Sequence, residues 1–275
     1  MITDGLSAEA RPSTLVEVSG TLTEGALSRL IGDEVLAILV PDFAGDEVVQ
    51  RARDIFADKP LENYTYFDQP SGTHKDLGVK RFGIPFNTTY KGDYDALTDY
   101  YDQVPGSIHQ MREEFSPNLY PIDHLRLLLD ELWPEGASVA SHSGKKNFVG
   151  MYREVRGSDA VSLEAPHFDA LPSHLGKLTQ QFAANIYIDV PEEGGELLLW
   201  PTEQIEMNSI KGYQGTIEFQ KLVATDPVRI CPKVGMLALF CASKPHAIAG
   251  FQGDIRSSLQ CFIGLEQDRH LALWN

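Results

Sequence analysis

His167-Phe168-Asp169, followed beyond a short loop by Phe182-Ala183-Ala184-Asn185-Ile186-Tyr187-Ile188-Asp189-Val190, is the stretch on which the reading of this chain turns. In an extended segment, residues i and i+2 project to the same face, so His167 and Asp169 can reach one metal ion from one side. The long run after them is apolar and bounded by turn residues, as expected of a buried strand. A third ligand lies far downstream. His246, in Ser243-Lys244-Pro245-His246-Ala247, comes directly after the apolar run Val234-Gly235-Met236-Leu237-Ala238-Leu239-Phe240. The turn at Pro232-x-x-Gly235 feeds that run and would deliver His246 to the mouth of a barrel. Ten residues further on, Arg256 and Ser258 repeat the i, i+2 relation. A guanidinium fork beside a hydroxyl is a good receptor for a planar carboxylate.

Working outward from this stretch, strand signals follow one another from Asn147 onward. Phe148–Val155, Gln181–Val190, Glu196–Trp200, Val228–Ile230, Met236–Cys241 and Leu259–Leu265 are the clearest, with Gly and Pro between them. Many short strands at this spacing point to a sandwich or barrel of jelly-roll type. The N-terminal half reads differently. A short strand within Leu15–Leu22, a buried strand at Glu34–Pro41 and helices near 26–31, 45–58, 93–115 and 121–133 are expected there. Residues 64–90 mix turn residues with Tyr64, Tyr66, Phe67, Phe82, Phe86 and Tyr90, and read as a long loop covering a site. The expected fold class is α+β with a mainly β core. The expected organisation is one unit over 1–275, a helical and substrate-loop region at 1–145 followed by a β core at 146–275.

Composition narrows the partners. The 39 acidic against 23 basic residues give a net charge of −16, a field that repels nucleic-acid phosphates and anionic membrane surfaces. Neither nucleic acid nor membrane is an expected partner, and a small-molecule substrate is. No apolar stretch is long enough to span a bilayer, and the start Met1-Ile2-Thr3-Asp4-Gly5 lacks the pattern of a signal peptide. Cys231, Cys241 and Cys261 form no C-x-x-C pair and are odd in number, which suits buried free thiols in a reducing cytoplasm.

H-x-D alone arises by chance in many chains. Combined with His246 and with Arg256-x-Ser258, in this order, it is far more specific. Two imidazoles and one carboxylate on a metal with open positions form the facial triad of non-haem Fe(II) sites. The whole constellation resembles the signature of the Fe(II)/2-oxoglutarate-dependent oxygenases over roughly Phe148–Leu265. Gly194-Gly195-Glu196-Leu197, a tight turn before a strand, resembles a turn often seen in that family. The resemblance implies a double-stranded β-helix with His167, Asp169 and His246 as metal ligands and catalytic centre. It implies that Arg256 and Ser258 bind the distal carboxylate of 2-oxoglutarate, with Asn185 and Tyr187 as further cosubstrate candidates by position. It implies Fe(II), 2-oxoglutarate and O2 as cofactor and cosubstrates, and succinate and CO2 as products. Relatives that chlorinate replace the carboxylate ligand by a small residue, so Asp169 favours hydroxylation.

The substrate side is less legible. Arg153, on the strand entering the motif, could hold a substrate carboxylate, as could Arg156. Tyr152, Phe86 and Trp274 are further candidates for the substrate pocket, each also suited to core packing. The layout is similar to that of bacterial oxygenases acting on free or N-modified amino acids. The alternatives are desaturation, epimerisation or cyclisation of a natural-product intermediate with the same cofactors, or an oxoglutarate-independent cupin-like metalloprotein. Arg256-x-Ser258 would have no role in that last kind of site.

Overall fold

The structure is a computed structural model, and it describes residues 13–68, 73–86, 94–157, 165–169, 178–203 and 216–275. The N-terminal part runs β1 (Val16–Val18), α1 (Glu24–Ile31), β2 (Ala37–Val40), α2 (Asp46–Ala57), β3 (Glu62–Asp68), β4 (Thr73–Phe82), α3 (Tyr94–Phe115) and α4 (Pro121–Leu132). Short strands follow at β5 (Ala137–Val139), β6 (Ser141–His142) and β7 (Lys145–Lys146), then β8 (Met151–Arg156), β9 (Leu178–Asp189) and β10 (Leu197–Leu199). The chain closes with α5 (Ile217–Val223), β11 (Val228–Ile230), β12 (Leu237–Cys241), β13 (His246–Ile248), β14 (Ile255–Glu266) and β15 (Leu271–Trp274).

Two sheets organise most of these strands, and β6 and β7 form a separate two-stranded ladder. The larger has the order β1-β2-β12-β9-β14-β8-β4-β3, with β15 alongside β14 and β5 beyond it. The smaller has the order β11-β10-β13 and is antiparallel throughout. Alternation along the central strands gives each face of the large sheet its own core. Ala183 and Tyr187 of β9 and Ala238 and Phe240 of β12 pack against Leu197 and Leu199 of β10 and Ile230 of β11. On the opposite face Phe182, Ala184 and Ile186 of β9 and Leu259, Cys261 and Ile263 of β14 belong to a core shared with α1, α2 and α4. Both faces of β9 and β12 are therefore covered, which is why these strands read as continuous apolar runs rather than as alternating ones.

The helices supply the second layer because their apolar residues recur on one face. Val49, Ala52, Ile55 and Phe56 of α2 and Ile122, Leu125 and Leu129 of α4 are all buried. Each of the larger side chains among them contributes about 1.5–3 kcal/mol when fully buried. Helix starts are specified locally. Thr23 caps α1 by accepting from the Ala26 amide, Thr216 caps α5 by accepting from Phe219, and Pro121 opens α4. Among the described residues no helix is long and apolar enough to cross a membrane.

Two expectations are corrected here. Residues 64–90 are not a loop throughout. β3 and β4 form an antiparallel hairpin whose second strand pairs with β8 and so extends the large sheet at its edge. The sequence of β4, Thr-His-Lys-Asp-Leu-Gly-Val-Lys-Arg-Phe, carries few apolar residues, and Val79–Phe82 of it pair with β8. Tyr90 and residues 69–72 and 87–93 lie outside the described residues. The three cysteines are free but not all buried. Cys241 and Cys261 are, whereas Cys231, just past the edge strand β11, is exposed.

Candidate active site

His246 opens β13, where it pairs with Leu199 of β10, and the segment carrying His167 is zipped onto it. The His167 amide donates to the His246 carbonyl at 3.0 Å, and the His246 amide returns a bond to the His167 carbonyl at 2.9 Å. Two residues on, the Asp169 amide donates to Ala242 O at 3.0 Å. Two short stretches far apart in sequence are thus joined by an antiparallel bridge. Alternation sends Phe168 to the other side, where its ring lies 5.1 Å from that of Phe219 in α5. His167, Asp169 and His246 each offer one ligand atom to a cluster whose members lie within 4.8 Å of one another.

The backbone also settles which imidazole nitrogens are available. His167 Nδ1 lies 2.9 Å from Ala165 O, and His246 Nδ1 lies 2.9 Å from Lys244 O. A carbonyl only accepts, so both Nδ1 atoms carry a proton and both Nε2 atoms are left for a ligand role. Outer hydrogen bonds of this kind fix ring orientation at metal sites. His246 Nε2 is 3.2 Å from Asp169 Oδ2.

The electrostatics separate the three groups. Burial, together with the neighbouring His246, pulls His167 down to about 4, so it is neutral at physiological pH. Burial pulls His246 in the same direction, but the charge and hydrogen bond of Asp169 outweigh it and the net shift is upward. Burial alone would raise Asp169, yet the two histidines and Arg153 hold it below the ordinary carboxylate value. One anionic and two nitrogen donors on one side of a point suit a borderline divalent ion such as Fe(II).

The second part of the site lies on the large sheet. Arg256, on β14, is 3% exposed. Its Nε donates to Gly195 O at 3.0 Å, an Nη donates to the Tyr187 hydroxyl at 3.3 Å, and its guanidinium carbon sits 5.0 Å from the Tyr187 ring centre. Among the described residues no carboxylate pairs with it, and desolvation lowers its pKa. A buried guanidinium held only by neutral groups is costly unless an anion completes it. Gly195, at φ +69°, makes the close approach possible: a Cβ there would meet Pro191 Cγ at 2.5 Å. Ser258 is buried and its Oγ accepts from Gln260 Nε2 at 2.9 Å. Pairing of Ser258 with Tyr187, and of Gln260 with Asn185, puts Arg256, Ser258, Tyr187 and Asn185 on one face.

The remaining sequence candidates divide. Arg153 pairs with Ser258 across β8 and β14 and so shares this face. Tyr152, one residue earlier, projects to the opposite face and stacks on Phe56 of α2 with ring centres 3.9 Å apart. Arg156 also lies on that side and pairs with Glu154 at 2.9 Å. Phe86 is fully buried against Tyr100 and Tyr101, and Trp274 is buried beside Phe262. Neither ring is packed against the His167–Asp169–His246 cluster. Gln260, which links Ser258 to Arg153, went unnoticed in the sequence. Extending the i, i+2 relation of Arg256 and Ser258 by one more step reaches it.

No protein-family model matches the chain, and no curated protein matches it. Solved structures do. An N-substituted L-amino acid dioxygenase from Burkholderia ambifaria AMMD superposes with a TM-score of 0.61 at 14% identity, covering 92% of this chain and 92% of that one. A structure of such a dioxygenase from the same organism in complex with α-ketoglutarate superposes with a TM-score of 0.57 at 14% identity, covering 92% of this chain and 91% of the other. The chain has the fold of these dioxygenases. The likeness runs nearly end to end, so it takes in the N-terminal helices as well as the strands that carry the cluster.

Proposed function

We propose that the chain is an Fe(II)- and 2-oxoglutarate-dependent dioxygenase that hydroxylates an aliphatic carbon of a small molecule, a free or N-modified amino acid, in the cytoplasm. In this reading the two facing sheets are the halves of a double-stranded β-helix, and residues 1–275 form one domain. His167, Asp169 and His246 hold the iron through their Nε2 and carboxylate atoms. Arg256 and Ser258 take the distal carboxylate of 2-oxoglutarate, and the Tyr187 hydroxyl and Asn185 flank it. Iron with 2-oxoglutarate and O2 supplies oxidative decarboxylation to succinate and CO2 and the oxidising power for a C–H bond.

The single observation that carries the proposal is the pairing of two incomplete sites, one on each sheet, that both feel the charge of Arg153. A His-Asp-His cluster in which neither Nε2 is taken by a backbone carbonyl stands with a buried guanidinium, that of Arg256, which no carboxylate among the described residues neutralises. A keto-acid that reaches both completes each of them. A cupin-like metalloprotein without oxoglutarate would leave Arg256 buried with no anion. Around this centre the chain's own groups do specific work. The Ala165 and Lys244 carbonyls keep the imidazoles in one tautomer.

The test is anaerobic addition of Fe(II) and 2-oxoglutarate, which should give a weak visible charge-transfer band. Absence of that band while Fe(II) still binds would overturn the oxoglutarate assignment. Asp169→Ala and His246→Ala should each abolish succinate formation, and retained activity in either would refute the ligand set. Mass spectrometry of amino acids and N-acyl amino acids incubated with the complete system should reveal a gain of one oxygen.

A further inference from the structure

Arg153 is a second cation on the active face that the iron and 2-oxoglutarate leave unused. It opposes Ser258 across β14, and Ser258 in turn opposes Tyr187, so all three stand in one row. Its partners are neutral: an Nη donates to Gln260 Oε1 at 2.7 Å, and the guanidinium carbon lies 5.0 Å from the Tyr64 ring centre. Its Nε is buried and has no hydrogen-bond partner among the described residues. Among those residues no carboxylate pairs with it either, in contrast to Arg156, which has Glu154. The positive charge of Arg153 is felt at His167, Asp169, His246 and Arg256, so the group lies within electrostatic reach of the whole site.

A charge count on that face then points outward. Among the described residues, a divalent metal and two guanidiniums would stand against the single carboxylate of Asp169. Bound 2-oxoglutarate brings two carboxylates, one for the metal and one for Arg256. That leaves Arg153 half-buried, with an unpartnered N–H and no counter-ion among the described residues. We infer that Arg153, fixed by Gln260 and backed by Tyr64, is the anchor for a carboxylate of the substrate, so that the enzyme takes free acids and rejects the corresponding amides and esters. The inference rests on the oxygenase reading above and adds to it the substrate's anionic group.

The experiment uses the full chain with Fe(II) and 2-oxoglutarate, as wild type, Arg153→Gln and Arg153→Lys. The probes are L-amino acids and N-acetyl-L-amino acids, each supplied as free acid and as carboxamide. Two readouts are followed: perturbation of the anaerobic charge-transfer band and aerobic gain of one oxygen. Wild type should respond to acids of at least one side-chain class and show about 10- to 100-fold lower kcat/KM for the matching amide, the loss expected for a charge-assisted hydrogen bond. Arg153→Gln should keep the band formed by Fe(II) and 2-oxoglutarate alone, lose the response to acids mainly through KM, and no longer distinguish acid from amide. Arg153→Lys should recover part of the preference. Amides as good as acids in wild type, no response to any acid, or an unchanged preference in Arg153→Gln would each overturn the inference. Loss of the cosubstrate band in Arg153→Gln would also overturn it, by assigning Arg153 to 2-oxoglutarate. Failure of the band in wild type would instead strike the oxygenase reading itself.

Discussion

The turn before His246 is anchored by an ion pair whose two ends are unequally exposed, and this makes a sharp prediction. Lys244 is 1% exposed at its side chain and Asp33 33%, with Nζ and Oδ1 2.5 Å apart. Asp33 itself stands at φ +61°, a conformation that asparagine also tolerates. Asp33→Asn therefore keeps shape and backbone but strands a buried ammonium. Breaking a fully buried pair costs about 3–5 kcal/mol, and because Asp33 is a third exposed and the amide oxygen still accepts, about 2 kcal/mol is expected. Lys244→Met removes the buried charge and keeps the stem's packing, leaving behind a carboxylate that water can reach; it should cost no more than about 1 kcal/mol. For a chain of this size 1 kcal/mol corresponds to about 2–4 °C, so Asp33→Asn should lower Tm by roughly 4–8 °C and Lys244→Met by about half of that or less. Urea titration followed by tryptophan fluorescence gives the same comparison through the midpoint. The double variant should resemble Lys244→Met, because with the ammonium gone the Asp33→Asn change no longer strands a charge. If Lys244→Met proves as damaging as Asp33→Asn, charge burial is not what the pair manages and the reasoning fails. The Lys244 carbonyl also receives the Nδ1 proton of His246, so loosening in Asp33→Asn should weaken Mn(II) binding as well.

Further outcomes follow from the same geometry. Gly195→Ala forces a Cβ into Pro191 and a left-handed conformation on alanine, displacing the carbonyl that accepts from Arg256; the 2-oxoglutarate Kd, read from the charge-transfer band, should rise about tenfold while metal affinity stays nearly unchanged. Native protein should show one thiol reactive to a chromogenic disulfide at pH 8, that of exposed Cys231, because burial raises Cys241 and pushes Cys261 up to about 12; a second reactive thiol before unfolding would contradict the packing. Metal affinity should depend on pH with a defined sign. His246 is raised in the free protein and must lose its proton to bind, so affinity should fall as pH drops through its raised value, while His167, near 4, and the depressed Asp169 remain unprotonated over that range. Calorimetry of Zn(II) binding in buffers of different ionisation enthalpy should therefore count about one proton released near pH 6, and two would show that His167 also titrates there.

What could be read in the sequence was whatever burial or local spacing determines. β9 and β12 were legible because burial on both faces leaves a nearly continuous apolar run, and α2 and α4 because burial on one face leaves a helical period. His167 and Asp169 were legible because period-2 geometry needs only two residues. The hairpin of β3 and β4 was not, since its reason for being extended is the edge of β8, a partner distant in sequence. Tyr152 misled for a related reason. Being next to Arg153 in sequence means the opposite face in a strand, so the stack on Phe56 that claims Tyr152 is the same alternation that turns Arg153 to the site.

Charge is where sequence and structure diverge most usefully. A sum over the whole chain weights every exposed acid equally, yet water and salt screen those groups within about 10 Å. Among the described residues, the charged groups of the proposed site are Arg153, Arg256 and Asp169, where the dielectric is lower and each charge counts for more. An acidic protein with a cationic interior face would repel polyanions at long range and still hold small carboxylates at contact. Binding of 2-oxoglutarate should accordingly change little with moderate salt, because the interaction forms at hydrogen-bond distance out of solvent. A steep salt dependence would mean that Arg256 is reached by bulk ions and is not the enclosed receptor that its contacts with Gly195 and Tyr187 describe.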